Sequence, residues 1–153
     1  MLRILSFVAA FAVLSAEGAR AEIIDLTGEV WSVCGWDGSS TWDETRLVFT
    51  SQIGGDDVVN LEGYFDWRSS RGSVGREHFQ GILTPNGEIA LQGASLHDSQ
   101  DIVTSRYRGR LTASGATIVD GVWLDGVPGV WAAVRDGGSG TASGLCNSED
   151  QLV

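Results

Sequence analysis

The sequence predicts an all-β protein: an antiparallel up-and-down meander of about eight strands that closes, or nearly closes, into a barrel. Residues 79–93 and 107–121 repeat one pattern, in which an aromatic residue, a glycine, Leu-Thr, a turn glycine and a closing glycine recur at a constant offset. Turn-forming residues separate short apolar runs along the whole chain, and no segment after the N-terminal region has helical apolar spacing. Closure is expected because it removes the exposed edges of such a sheet.

Each predicted strand is a run rich in β-branched or aromatic residues that ends at a turn signal. The strands in order are Ile23–Val33, Thr45–Ser51, Val58–Trp67, Arg76–Thr84, Glu88–Leu96, Ile102–Thr112, Ala116–Asp125 and Gly129–Arg135. The first is followed by a long loop, and the later turns fall at Gly54-Gly55, Arg71-Gly72-Ser73, Pro85-Asn86-Gly87, His97-Asp98-Ser99, Ser114-Gly115 and Gly126-Val127-Pro128.

The two repeats predict hairpins with three-residue loops, each with a glycine, Gly87 or Gly115, in the left-handed conformation. That loop length sets the register. It places Leu83 opposite Ile89, Gly81 opposite Leu91, Phe79 opposite Gly93, Leu111 opposite Thr117, Gly109 opposite Val119, Tyr107 opposite Gly121, and Arg108 opposite Asp120 as an ion pair. The interior face then holds Phe79, Leu83, Leu91, Tyr107, Leu111, Val119 and Trp123, and the outer face holds His78, Gln80, Arg106, Arg108, Arg110 and Asp120.

The N-terminus has the pattern of a signal peptide, predicted over residues 1–21. Arg3 precedes an apolar run, and Ala19-Arg20-Ala21 fits a cleavage site with small residues. An uncleaved anchor or a buried helix is the alternative. We therefore expect a secreted or periplasmic protein, with a barrel domain at 22–135 and a flexible Gly/Ser-rich tail at 136–153.

The chain has two cysteines, Cys34 and Cys146. In a secreted protein two cysteines predict one disulfide, which would tether the tail near the end of the first strand. Redox or metal chemistry at these positions is not favoured, because there is no Cys-x-x-Cys motif and no nearby histidine partner.

The formal net charge of −10 disfavours nucleic acid as a partner. No segment of the mature chain is apolar enough to predict a membrane span. The partners that remain are a small molecule or another protein, and the sequence does not specify an oligomeric state.

The chain resembles calycins, the group of lipocalins and avidins. The resemblance rests on Gly28-x-x-Trp31 in the first strand, Gly129-Val130-Trp131 in the last, and a Leu91-x-Gly93 … Ser105-Arg106-Tyr107 … Gly109-Arg110 stretch between them. Two features depart from the group: Gly-x-Trp is one residue longer here, and the second lipocalin motif is absent. The resemblance implies an eight-stranded barrel and carries over no binding residues.

The aromatic residues are the candidates for a binding site. Trp36 and Trp42 lie in or beside the long loop at residues 35–41, where a ligand or partner would be accessible. Trp123 and Tyr107 lie on the predicted interior face, where they would line a pocket or simply form core.

Catalysis, metal binding and cofactors are not predicted. There is no Gly-x-Ser-x-Gly motif or phosphate-binding loop, and His78 and His97 lie in no metal-binding motif. Arg106, Arg108 and Arg110 form either an anion site or, as we favour, a solvated outer face.

We therefore predict a non-enzymatic barrel that binds a small apolar or amphipathic ligand at its mouth or interior. One alternative is an interaction or inhibitor module that uses the loop at 35–41 and the C-terminal tail. Another is an enzyme, which would need a cluster of polar groups with shifted pKa values at the barrel mouth.

Overall fold

The computed structural model describes residues 23–55 and 57–136 and confirms the predicted fold class. Eight antiparallel strands follow one another around a closed barrel in chain order, and the last pairs with the first. This architecture is consistent with a calycin-like barrel. The strands are β1 (Val30–Trp36), β2 (Thr45–Gly54), β3 (Val59–Arg68), β4 (Val74–Leu83), β5 (Glu88–Gln100), β6 (Arg106–Leu111), β7 (Thr117–Trp123) and β8 (Gly129–Arg135).

The first repeat folds as predicted. In the β4–β5 hairpin Leu83 pairs with Ile89, Gly81 with Leu91, and Phe79 with Gly93. Gly87 has a φ of 88°, and its N–H donates to the carbonyl of Thr84 at 3.0 Å. The left-handed glycine therefore closes this turn, as its loop length requires.

The register predicted for the second repeat is wrong. The loop has four residues rather than three, since the Thr112 N–H donates to the Thr117 carbonyl at 3.0 Å, and Leu111 therefore pairs with Ile118. A β-bulge in β7 then adds a further residue beside Gly109, so Tyr107 pairs with Trp123. Asp120 lies in this bulge with a φ of 54° and forms an ion pair with Arg110 rather than Arg108. Ile118 is consequently buried, whereas Val119 is only half-buried.

The predicted bounds fail at two other places. The turn expected at 97–99 is instead part of β5, where a β-bulge near Asp98 accommodates one extra residue. The chain turns later, over residues 101–105. The first strand begins at Val30. Residues 23–29 form a plug across this end of the barrel, with Ile24 against Gly115 of the β6–β7 loop and Thr27 paired with Phe49 of β2. Leu26 of this plug is fully buried, and the Gln52 side chain bonds the backbone of Leu26 and Ile24 at 2.9 and 3.0 Å.

Buried aromatic and aliphatic side chains fill the barrel from this plug towards the opposite end. Phe65 lies at the centre of the cluster, and its ring contacts those of Trp67, Phe79, Tyr107 and Trp131 at centroid distances of 4.6–5.8 Å. These offset and edge-to-face contacts are the favourable arrangements for aromatic pairs. A ligand consequently has little room in the middle of the barrel, and the free space lies at its mouth.

Several predictions fall outside the described residues: the signal peptide at 1–21, Cys146, and the tail beyond Asp136. Asp136 itself lies at the plugged end, where its N–H donates to the carbonyl of Val30 at 2.9 Å. It is thus at the opposite end from the loop at 35–41. Cys34 is buried on the outer face of β1 with Ala132 and Val134. Within the described ranges no helix is long and apolar enough to cross a membrane.

Candidate ligand-binding site

A pocket of about 240 Å³ opens at the end of the barrel opposite the plug. The loops β1–β2, β3–β4, β5–β6 and β7–β8 all contribute to its wall. Its aromatic residues are Trp42, Trp67, Tyr107 and Trp123. Polar side chains, including Asp37, Asp101 and Asp125, complete the rim.

The three tryptophans contact one another directly. The Trp42–Trp67, Trp67–Trp123 and Trp42–Trp123 ring centroids are 5.5, 5.8 and 6.3 Å apart, all in edge-to-face contact. Tyr107 stacks on Trp67 at 5.8 Å. Each ring limits the rotation of the next, so these rings form a single rigid aromatic wall.

Beneath this wall lies Glu77, a fully buried carboxylate at the β4–β6 side of the barrel. One of its oxygens, Oε2, accepts hydrogen bonds from Trp67 Nε1, at 2.9 Å, and from the hydroxyl of Tyr107. Oε1 accepts from the backbone N–H of Ser105 at 2.8 Å. Glu77 thus fixes three residues that line the pocket, although it is not itself exposed there.

Burial raises the pKa of Glu77 above its ordinary value, and the bonds from Tyr107, Ser105 and Trp67 only partly offset this. Burial, together with the adjacent carboxylate, also raises the pKa of Tyr107. The space for the carboxylate depends on Gly93, since a Cβ at that position would lie 1.9 Å from Glu77 Oε1.

Asp37 holds the loop that carries Trp42. Its Oδ1 accepts from the N–H groups of Ser39 and Ser40, at 2.9 and 2.7 Å, and its Oδ2 accepts from Trp42 Nε1 at 3.1 Å. This is the local side-chain-to-backbone bonding that favours aspartate in turns. Burial opposes ionisation of Asp37, but these bonds outweigh it and hold the pKa of the carboxyl below its usual range.

The opposite side of the rim is tied to the buried carboxylate through Ser105. The Ser105 hydroxyl accepts from the N–H of Asp125 at 2.9 Å, and the Asp125 carboxylate binds Arg106 through two bonds of 2.9 Å. Trp123 is fixed separately by a bond from Nε1 to the carbonyl of Val127 at 2.7 Å. Little side-chain rearrangement is thus needed to form the pocket.

The structure brings together three of the four residues predicted from sequence: Trp42, Tyr107 and Trp123 all line the pocket. Trp36 does not. Gly35 faces inward, since a Cβ there would lie 2.9 Å from the Trp123 ring, and Trp36 as the next residue of β1 has the opposite parity.

Sequence reasoning missed Trp67 as a wall residue and missed Glu77 and Ser105 altogether. A signal for Glu77 was present, because it lies two residues before Phe79 on the inward parity of β4, where a charged residue is unusual.

The polar groups of the outer face are placed largely as expected. Arg106 and Arg110 pair with Asp125 and Asp120, as in a solvated face. His78 and His97, distant in sequence, meet with ring centroids 5.1 Å apart. Among the described residues, no three His, Cys, Asp or Glu side chains come together as metal ligands.

No family model matches the chain, and neither the curated proteins nor the solved structures include a significant match to it.

Proposed function

We propose that this protein is a secreted or periplasmic barrel that binds one small apolar or amphipathic molecule in the pocket at its open end. The observation that carries the proposal is a pocket of about 240 Å³ with a wall of four aromatic residues. A cavity of about 150 Å³ accommodates benzene. The pocket therefore suits a ligand somewhat larger than one aromatic ring.

The rigidity of the wall supports this proposal. Trp42, Trp67 and Trp123 each use their indole N–H in a hydrogen bond within the protein, to Asp37, Glu77 and the Val127 carbonyl. Because these rings are fixed before a ligand arrives, binding costs little side-chain entropy. The many polar rim groups orient an amphipathic ligand, as in most small-molecule sites.

The test is native mass spectrometry of the exported protein after incubation with a small-molecule extract of the source cells. We expect a retained small mass, and we expect it to be lost from the Trp42→Ala variant, because that ring forms part of the wall.

Trp36→Ala is the matched control, since it removes a tryptophan from the same end that does not line the pocket. It should retain the ligand. Loss of the ligand from Trp36→Ala but not from Trp42→Ala would contradict the proposed pocket and place the ligand on the outside of the loop.

The second candidate is the interaction module that uses the loop at 35–41 and the tail. Two valines that share the pocket rim with this loop favour a contact surface at this end: Val103 of the β5–β6 loop and Val127 of the β7–β8 loop are 56% and 62% exposed. Apolar residues exposed together on a monomer often mark an interface. If no small mass is retained and a Val103→Ser variant loses a partner protein that the wild type captures, this second function replaces the first.

A further inference from the structure

The rim of the pocket carries acidic side chains and no basic ones. Of the described residues that line it, three are aspartates and none is arginine, lysine or histidine. The whole chain has the same bias, with 20 acidic and 10 basic residues. A concave site lined by one sign of charge concentrates ligands of the opposite sign.

Two of these carboxylates have no cationic partner among the described residues. Asp37 accepts bonds only from hydroxyl, backbone and indole donors, and Asp101 forms no ion pair. The guanidinium groups of Arg68 and Arg106 at this end pair with Glu44 and Asp125, and Arg71 of the β3–β4 loop does not line the pocket. The negative charge of Asp37 and Asp101 is therefore available to a ligand.

The aromatic wall provides the second half of such a site. The tryptophan rings provide apolar surface for the uncharged part of a ligand, and exclusion of water at a pocket strengthens the attraction between a cationic group and the rim carboxylates. Resting on the proposed function, we infer that the pocket takes an organic ammonium ion, with its apolar part against the tryptophans and its cationic group towards Asp37 and Asp101.

The probe is phenyltrimethylammonium, and its uncharged counterpart is tert-butylbenzene, in which carbon replaces the nitrogen. Binding is followed by the indole N–H signals of Trp42 and Trp123 in NMR titrations. We expect the cation to bind at least tenfold more tightly than its counterpart, with an affinity that falls as salt is added.

Asp101→Asn tests the carboxylate, because Asp101 has a φ of 58° and asparagine also tolerates the left-handed conformation. It should weaken binding of the cation about threefold or more and leave binding of tert-butylbenzene unchanged. Asp57→Asn is the matched control, since it makes the same change in net charge in the β2–β3 loop at the opposite end. It should alter neither affinity.

The outcomes separate the inference from the proposed function. If both probes bind equally tightly, or if Asp101→Asn and Asp57→Asn weaken the cation equally, the preference for ammonium ions is overturned and the binding pocket remains. If neither probe shifts the indole signals, both the inference and the pocket as a binding site are overturned.

Discussion

Glu77 is the residue on which the open end of the barrel depends most directly. Its two oxygens accept from donors on β3, β6 and the β5–β6 loop, so one carboxylate links three segments of the chain. A buried acceptor that loses a donor is tolerated better than a buried donor that loses its acceptor, because a carboxylate has several lone pairs and each N–H has one proton. Removing the acceptor at Glu77 is therefore expected to cost more than any other polar change in this region.

The Glu77→Gln variant should be less stable by about 1–3 kcal/mol, because its amide places two N–H protons among the converging donors, where the carboxyl has one proton at most. The difference should also depend on pH. Burial raises the folded-state pKa of Glu77 above the ordinary 4.5, so the folded protein keeps a proton that the unfolded chain has lost. Wild-type stability consequently falls as pH rises through this window, and its advantage over Glu77→Gln narrows.

Urea unfolding from pH 4.5 to pH 8 measures this difference. Glu88→Gln, at an exposed position of β5, is the control and should give a curve parallel to that of the wild type. An advantage of wild type over Glu77→Gln that widens with pH would show that Glu77 is held as an anion with a lowered pKa, contrary to the direction argued here.

The aromatic part of the site could be predicted from sequence because a tryptophan or tyrosine at an inward-facing position of a strand must lie inside the barrel or at its mouth. Tyr107 and Trp123 were identified in this way, and both line the pocket. Glu77 could not be assigned a role, because its donors come from residues 10 to 30 positions away that only the closed barrel brings together.

At the scale of single elements, hairpins with ordinary turns were predictable and bulges were not. The β4–β5 register follows from its loop length as far as the Phe79–Gly93 pair, and shifts twice beyond it. The β6–β7 register differs from the prediction at its four-residue loop and again at the bulge that holds Asp120. Among the described residues, the three non-glycine residues with positive φ are all aspartates: Asp98, Asp101 and Asp120. Asp98 and Asp120 mark two of the bulges, where a short polar residue inside a strand pattern was an available signal. The register shifts between Phe49 and Ser51 and between His78 and Phe79 have no such signal.

Asp120→Val should destabilise the barrel by about 1–2 kcal/mol, because a β-branched side chain disfavours the left-handed conformation. Asp120→Asn removes the same ion pair with Arg110 but tolerates the conformation, and an exposed pair contributes only about 0–1 kcal/mol. Urea midpoints of the two variants separate backbone strain from charge. Equal losses in both would mean that the ion pair, and not the left-handed bulge, stabilises β7.

At the scale of the whole molecule, the two ends of the barrel are built differently. One end is sealed by Leu26 and the residues beside it. Ile24 packs so closely on Gly115 that a Cβ at position 115 would lie 2.7 Å from the Cδ1 atom of Ile24. The other end keeps its loops tied together around a pocket. The tie between the β1–β2 and β3–β4 loops is short, with the Ser70 N–H donating to the Thr41 carbonyl at 2.8 Å.

This separation predicts that stability and binding can be changed independently. Leu26→Ala removes a fully buried side chain at the sealed end and should cost about 2–5 kcal/mol of unfolding free energy. A strand rises about 3.3 Å per residue, and β4 runs for ten residues between the two ends. The pocket therefore lies far from the cavity that Leu26→Ala would leave. Affinity for phenyltrimethylammonium, measured by the indole signals well below the unfolding midpoint, should therefore be unchanged.

Ile53→Ala is the control, because it shortens an aliphatic side chain that is 70% exposed, and it should change neither stability nor affinity. A loss of affinity in Leu26→Ala while the barrel remains folded would contradict the independence of the two ends. Such a loss would mean that side-chain shifts around the cavity at the sealed end pass through the closely packed aromatic core around Phe65 and displace the wall of the pocket.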